Sequence, residues 1–346
     1  MEDDFTSFGF RGNNVSATRR AWLLTLDFEA FTVQTAPLWH EAMRRWAARC
    51  RAGGWKFSFF TSVEHVVRLR AGSPSLYDEF LEAVLELHRA GVEYHPHNHC
   101  LFDTATGHRA TPKQERELRV RGYPKRPSMY YDVVYRNGKT FKEWLPALTQ
   151  AYDEFLREAK ISRPRALAFR AGGWDYGSTK ADVSDYLQGL VAEGFVFESG
   201  AVSGVRGTRS WRIGAPFGSN TFALPPALTE VAPTDSMNCG ATAASIPYYG
   251  WLSRIARQPR LWTPPFRPGV LVTVLHFDEL FHAGHGRSAR KFVVQDRREV
   301  ARRIDAFFKR IHAARRLLQL DPYSFGELPQ VLQPPPSGAS LGTLKS

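Results

Sequence analysis

The sequence predicts an α/β protein built on a parallel sheet, and three observations carry that prediction. Short apolar runs alternate with amphipathic helical stretches along most of the 346 residues, as βαβ crossovers require. Several helical stretches end at glycine, the residue that most easily leaves a helix. The polar residues best suited to chemistry gather at the carboxyl ends of the apolar runs, where parallel α/β folds place their sites. Five or more such units with no dividing linker predict one domain, either a barrel or a doubly wound sheet.

The elements follow in chain order. Residues 1–19 form a polar arm, and Trp22 to Asp27 is an apolar run with a polar end, a buried strand. Leu38, Ala42, Trp46 and Cys50 recur every four residues as one helix face, stopped by Gly53-Gly54. Trp55 to Phe60 returns to strand character. Ser73-Pro74 offers a cap and a first-turn proline for a helix with Phe80, Val84 and Leu87 on one side. Gly91 closes it before a strand from Val92 to His95. The stretch from about 103 to 140 is rich in Arg, Lys, Tyr and Pro and reads as loop. Trp144 to Ala159 reads as helix and Ala166 to Arg170 as strand. Ser178 caps a helix bearing Val183, Leu187 and Leu190, ended by Gly194, and Phe195 to Glu198 is a short strand. From about 203 to 268 no periodicity is clear. Val270 to Leu275 is the clearest strand, and the helix from Asp296 to Leu318 turns Val300, Ile304, Phe307 and Ile311 inward. Three consecutive prolines and small polar residues mark 330–346 as a flexible tail, leaving 20–329 as the domain.

Composition excludes whole classes. With 43% hydrophobic and 13% aromatic residues, and 27 Gly and 22 Pro spread along the chain, disorder, collagen and coiled coil fit poorly. Cys50, Cys100 and Cys239 are too few and too scattered for a disulfide framework. The first twenty residues open acidic and lack the apolar core of a signal peptide, and no apolar run approaches the ~20 residues that span a bilayer, so a cytoplasmic protein is expected. Lys and Arg outnumber Asp and Glu 46 to 34, a net charge of +12. That surplus predicts an anionic partner such as an acidic glycan, a lipid diphosphate or the inner face of a membrane touched peripherally. Specific nucleic-acid binding is not expected, since no reading module is present. No pattern in the sequence speaks to oligomeric state.

Four strand ends carry the candidate chemistry. Asp27-Phe28-Glu29 sets two carboxylates two residues apart, which in extended chain points them the same way. One can bind a cation while the other accepts a proton from water. Alone, such a pair is more often a solvated strand end. His95-Pro96-His97-Asn98-His99 puts three imidazoles in five residues, and Pro96 argues against a helix. Imidazole with carboxylate is the ligand set of catalytic zinc and related divalent sites; a surface cluster is the plainer reading, and the sequence leaves open which two imidazoles bind. Arg170 can hold a catalytic carboxylate ionised. His276 is placed to act as a general acid, with Asp278 or another acid setting its tautomer.

Together these segments resemble the polysaccharide deacetylases, carbohydrate esterase family 4. Thr25-Leu26-Asp27-Phe28-Glu29 is similar to the family's first motif, His95-x-x-x-His99 to its second, Phe169-Arg170-Ala171-Gly172-Gly173-Trp174 to its third and Leu275-His276 to its last. Four motifs in order span about residues 20 to 330. The likeness is divergent: Glu29 stands where the family usually has Asp adjacent to the first acid, and Glu198 where an acid paired with the final histidine is often Asp. The resemblance implies a distorted (β/α) barrel that removes N-acetyl or N-formyl groups from a sugar in a polysaccharide, oligosaccharide or lipid-linked glycan. It implies one divalent ion, most often zinc, on Glu29, His95 and His99. Asp27 would be the base, oriented by Arg170, and His276 the acid. His97, Trp174, Tyr176 and Asp278 are left as substrate contacts. The rival readings are another amidohydrolase or phosphoesterase, with one or two metals, an iron oxygenase, and a glycan-binding relative without turnover.

Overall fold

A computed structural model describes residues 20–29, 35–98, 102–107, 141–171, 180–200, 221–224, 228–231, 233, 235–236, 249–250, 270–281 and 296–332. Its strands are β1 (Arg20–Phe28), β2 (Phe57–Ser62), β3 (Val92–Asn98), β4 (Ala168–Ala171), β5 (Phe197–Glu198), β6 (Thr221–Leu224), β7 (Leu228–Val231), β8 (Asp235–Ser236), β9 (Tyr249–Gly250), β10 (Val270–His276) and β11 (Leu320–Tyr323). They form one sheet in the order β6-β7-β5-β4-β3-β2-β1-β10-β8-β9, with β11 against β1. All pairings from β7 through to β8 are parallel; β6 on β7 and β9 on β8 are antiparallel. The helices are α1 (Ala36–Gly53), α2 (Val63–Gly72), α3 (Pro74–Arg89), α4 (Phe141–Glu158), α5 (Lys180–Ala192), α6 (Arg297–Leu318) and α7 (Leu328–Leu332).

Two apolar clusters show how the sheet is shaped. The larger takes the outward residues of the central strands with the helices, including Trp22, Phe28, Trp46, Phe59, Tyr94, Phe169, Leu275 and Phe307. The smaller joins Ala21, Leu23, Phe60, Ala168, Phe197, Val231, Val270 and Val272 with Phe325 and Leu328. Strands far apart in the sheet meet in that second cluster, so the sheet curls around it and the fold is α/β, a barrel-like parallel sheet with helices outside. Phe325 follows β11, which runs beside only the first four residues of β1, and it closes the end of the barrel opposite the strands' carboxyl ends.

The predicted helices at 38–50, 144–159 and 296–318 are present. Asp296 caps α6 by accepting from the Glu299 amide at 2.8 Å. Gly54, at φ +58°, ends α1, and Gly91, at φ +102°, lets β3 start where an added Cβ would lie 2.9 Å from the Trp55 carbonyl. Four differences are informative. Ser73 is the N-cap of α3, but its side chain makes no capping bond. Helix α2 was not expected, because Val63, Val66, Val67 and Leu69 continue an apolar stretch begun in β2 and hide the change of period. Strands β6 to β9 lie in the stretch without periodicity, being two to four residues long. β11 contains Pro322, which argues against a strand in sequence, and α7 runs across the boundary placed at 330. The arm before residue 20, the chain from 333, most of the 103–140 loop and Ser178 lie outside the described residues.

Candidate functional site

The alternation of the strands aims the polar groups. Phe28 is buried among Phe59, Phe80, Tyr94 and Phe277 on the helix side, so Asp27 faces the lumen. Tyr94 packs outward on Phe59 and Phe155, which turns His95 and His97 inward. Phe169 packs outward on Phe141, Tyr186 and Phe195, which turns Arg170 inward. Phe277 and Leu275 do the same for His276. In the ladder Asp27 is paired with His276 and His97 with Arg170. An aromatic or aliphatic anchor beside each polar residue thus converts sequence spacing into convergence at one barrel end.

Arg170 is the centre of the arrangement and is fully buried. Its Nη1 donates to Asp27 Oδ1 at 2.6 Å, its Nη2 to Thr25 Oγ1 at 2.8 Å and Ser199 Oγ at 3.0 Å, and its Nε to the Ser199 carbonyl at 3.0 Å. The guanidinium lies 4.0 Å from the Phe60 ring centroid, a cation–π contact made while its fork reaches several acceptors at once. Thr25 and Ser199 are themselves tied, donating to the carbonyls of Thr273 and Val231 at 3.0 Å each. Neither was singled out from sequence. Thr25 lies two residues before Asp27, and the period of two was the available signal; Ser199 follows a two-residue strand and offers none.

Asp27 is buried at 4% exposure. Its burial favours the neutral acid, but Arg170, with His97 and His276 beyond it, outweighs that and holds the carboxyl below the usual carboxylate range, against a smaller opposing push from Glu29. Its Oδ2 faces the two imidazoles: His276 Nε2 at 3.5 Å and His97 Nε2 at 3.9 Å. Burial works against protonation of His276, yet Asp27 and then Glu279, Asp278 and Glu29 outweigh it, so this imidazole titrates above the ordinary histidine value. Its side chain is 37% exposed, enough to meet a ligand from solvent. His97 is buried, and its Nδ1 lies 2.9 Å from the Arg170 carbonyl. A carbonyl only accepts, so Nδ1 carries a proton, and Nε2 is the nitrogen turned toward Asp27.

His95 does not join them. Its Nδ1 accepts from the Ala168 amide at 3.3 Å, its Nε2 faces Glu93 Oε2 at 3.5 Å, and its ring packs on Phe60 and Phe325. Those contacts belong to the closed end of the barrel, where Glu93 accepts from the Gly326 amide at 2.9 Å. The expectation that His95 is a ligand beside Asp27 is therefore not matched by its position; two residues along a strand is about 6.6 Å of rise. Glu198 is likewise turned from His276, its carboxylate taking bonds from Tyr186 Oη and the Gly200 amide on the helix side. Glu29 and Asp278 are near enough to His276 to raise its proton affinity. His99, Trp174 and Tyr176 lie outside the described residues. Among the described residues, no three His, Cys, Asp or Glu side chains gather as a ready cation site, and no helix is long and apolar enough to cross a membrane.

Neither a family profile nor a curated protein matches the chain. Among solved structures it is similar to a provisionally named polysaccharide deacetylase from Mycobacterium smegmatis, 13% identical, with a TM-score of 0.42 over 92% of this chain and 95% of that one. It is also similar to a 4-alpha-glucanotransferase from Thermococcus litoralis, 11% identical, with a TM-score of 0.48 over 92% of this chain and 41% of that one.

Proposed function

We propose that this protein is a metal-dependent hydrolase that removes N-acetyl or N-formyl groups from a sugar within a glycan or a lipid-linked glycan. The observation that carries the reading is the environment of Asp27. One of its oxygens is fixed by a buried guanidinium while the other is faced by two imidazoles at the open end of a parallel barrel. An acid placed to take a proton and an imidazole placed to give one, within 3.5 Å of each other, are what amide hydrolysis requires on its two sides.

The donors fit a divalent ion. His97 turns Nε2 toward Asp27 with Nδ1 held by a carbonyl, the usual orientation of a ligating imidazole, and Glu29 stands close enough to influence both Asp27 and His276. We assign His97 and Glu29, with His99 as the third donor, to the ion, zinc being the natural match for imidazole with carboxylate; His97 replaces His95 in that set. When bound, the ion would polarise the amide carbonyl and acidify water. The remaining steps belong to the chain. Asp27, kept ionised by Arg170, takes the water proton on Oδ2. His276, whose proton affinity is raised by Asp27 and its other acidic neighbours, gives its proton to the departing amine. Arg170 orients Asp27 throughout and does not move, because each of its three nitrogens is engaged.

The test is acetate or formate release from a panel of N-acylated glycans and glycolipids, with metal content measured on the same sample. Asp27→Asn is expected to abolish release and keep the ion; His97→Ala is expected to lose both. Equal turnover by the wild type and Asp27→Asn would end the reading, and turnover of phosphate esters alone would replace it with a phosphoesterase.

A further inference from the structure

The positive charge of the chain is not spread evenly over the barrel's helices. Helices α1 and α6 together carry twelve Arg or Lys against three Asp or Glu, so this pair holds nine of the chain's net twelve positive charges. Helices α3 and α4, further round the ring, carry eight Asp or Glu against three Arg or Lys. The basic pair packs side by side: Asp305 of α6 is held by Arg45 and Arg49 of α1, each within 3.0 Å. Two guanidiniums on one carboxylate leave a cation over. On α6, Val300, Ile304, Phe307 and Ile311 are buried, and Arg298, Arg302, Lys309 and Arg316 lie on the opposite, exposed side. At about 1.5 Å per residue that stripe runs roughly 27 Å.

We infer that the α1–α6 face is a docking surface for an anionic lipid bilayer. The surface is a straight raft two helices wide on the convex side of the barrel, a shape that meets a plane of headgroups. The cleft between the two helices is walled by charged as well as apolar side chains, among them Glu41, Arg45, Arg297 and Ile304, and Val196 is the large hydrophobic side chain exposed among the described residues, away from these helices. Adsorption is therefore electrostatic, without insertion. Single-stranded nucleic acid is bound by aromatic platforms interleaved with cations, and duplex is read by an element that enters a groove; the raft offers neither. Eleven of its twelve cations are Arg, whose fork matches phosphate oxygens in pairs. Acidic α3 flanks the raft, its Glu86 pairing with Arg44 and Arg51 of α1, so the negative charge of a bilayer favours the orientation that turns α6 toward it. The inference does not depend on the catalytic reading.

The experiment is vesicle flotation of the full chain with phosphatidylcholine alone and with 3:1 phosphatidylcholine to phosphatidylglycerol, at about 0.1 M and about 1 M salt, between which the Debye length falls from ~10 to ~3 Å. Binding is expected only to the anionic vesicles and only at the lower salt. The variant Arg298→Glu/Arg302→Glu/Lys309→Glu/Arg316→Glu is expected to lose binding by roughly tenfold or more. Glu79→Lys/Glu82→Lys on α3, a charge reversal outside the raft, is expected to retain it. Unaltered circular dichroism and melting of both variants would show that charge, not folding, is being read. Equal flotation with neutral vesicles, indifference to salt or to the α6 reversal, or displacement from vesicles by duplex DNA at equal phosphate concentration would overturn the proposal.

Discussion

His95 and His97 stand two residues apart on one strand and face the same lumen, yet they belong to different chemistries. His97 is in a polar layer with Asp27, Arg170, Thr25, Ser199 and His276. His95 is in the layer beneath, between Phe60 and Phe325 and beside Glu93. The upper layer concentrates unlike charges toward the strands' carboxyl ends, with His276 its member exposed to solvent. The lower one sets His95 and Glu93 against the plug that closes the barrel. Neighbouring positions on one face thus differ in their partners because a barrel is filled in layers, and depth along the strand decides which groups meet one another.

The sharpest way to break this contrast is at Arg170. Arg170→Met keeps much of the volume and the Phe60 contact but leaves Asp27 buried without its guanidinium. A loss of about 3–5 kcal/mol is expected from stranding one member of a buried pair, read as a fall in urea midpoint, together with loss of turnover. A change below about 1 kcal/mol would mean that the upper layer is solvated and that Arg170 is not its organiser.

The two histidines should separate next. His95→Ala opens a cavity between two aromatic rings and is expected to cost about 2–4 kcal/mol, with the ion retained. His97→Ala is expected to lose the ion while the chelated protein melts closer to wild type. Metal analysis and thermal melts of both variants, with and without chelator, check the crossing. If both lose the ion equally, the layers are not distinct.

This contrast also marks how far the sequence could be read. Asp27, Arg170 and His276 were legible because each ends an apolar strand whose outward neighbour, Phe28, Phe169 or Phe277, fixes the side it faces. The three imidazoles were legible as a cluster, but not their depth. Depth depends on the stagger of β3 against β1, a property of the curled sheet that no local pattern carries. The closing plug was missed for the same reason: β11 and the Phe325 turn read as loop, and only their neighbours Ser58 and Glu93, over two hundred residues away, give them a place.

The ionisation of the upper layer gives a finer test in chelated protein. Asp27 titrates below 3.8 when folded, so its charge stabilises the fold fully above 3.8, and that contribution is lost as pH falls through the folded value. The stability advantage of wild type over Asp27→Asn should therefore shrink on acidification below 3.8. His276 titrates above 6.5 when folded, so its contribution is complete below 6.5 and lost as pH rises through the folded value. The difference between wild type and His276→Gln should shrink on the alkaline side instead. Urea midpoints across pH for the three proteins check both limbs, and matching trends for the two variants would contradict the coupling.

The smallest expected effect lies at the closed end. Ser324 opens the turn that carries Phe325, its amide and hydroxyl both donating to the Glu327 carboxylate, at 3.0 and 3.2 Å; Lys56 also pairs with Glu327. Ser324→Ala removes the hydroxyl from this capping box and leaves the Phe325 ring in the barrel. A cap of this kind is worth about 1 kcal/mol, so the urea midpoint should fall slightly while metal content and turnover stay unchanged. The plug touches His95, and His95 is joined to the open end through the Ala168 amide, two residues before Arg170. A fall in turnover larger than the fall in stability would therefore show strain passing along that route, and the lower layer would be a support for Arg170 rather than a filler beneath it.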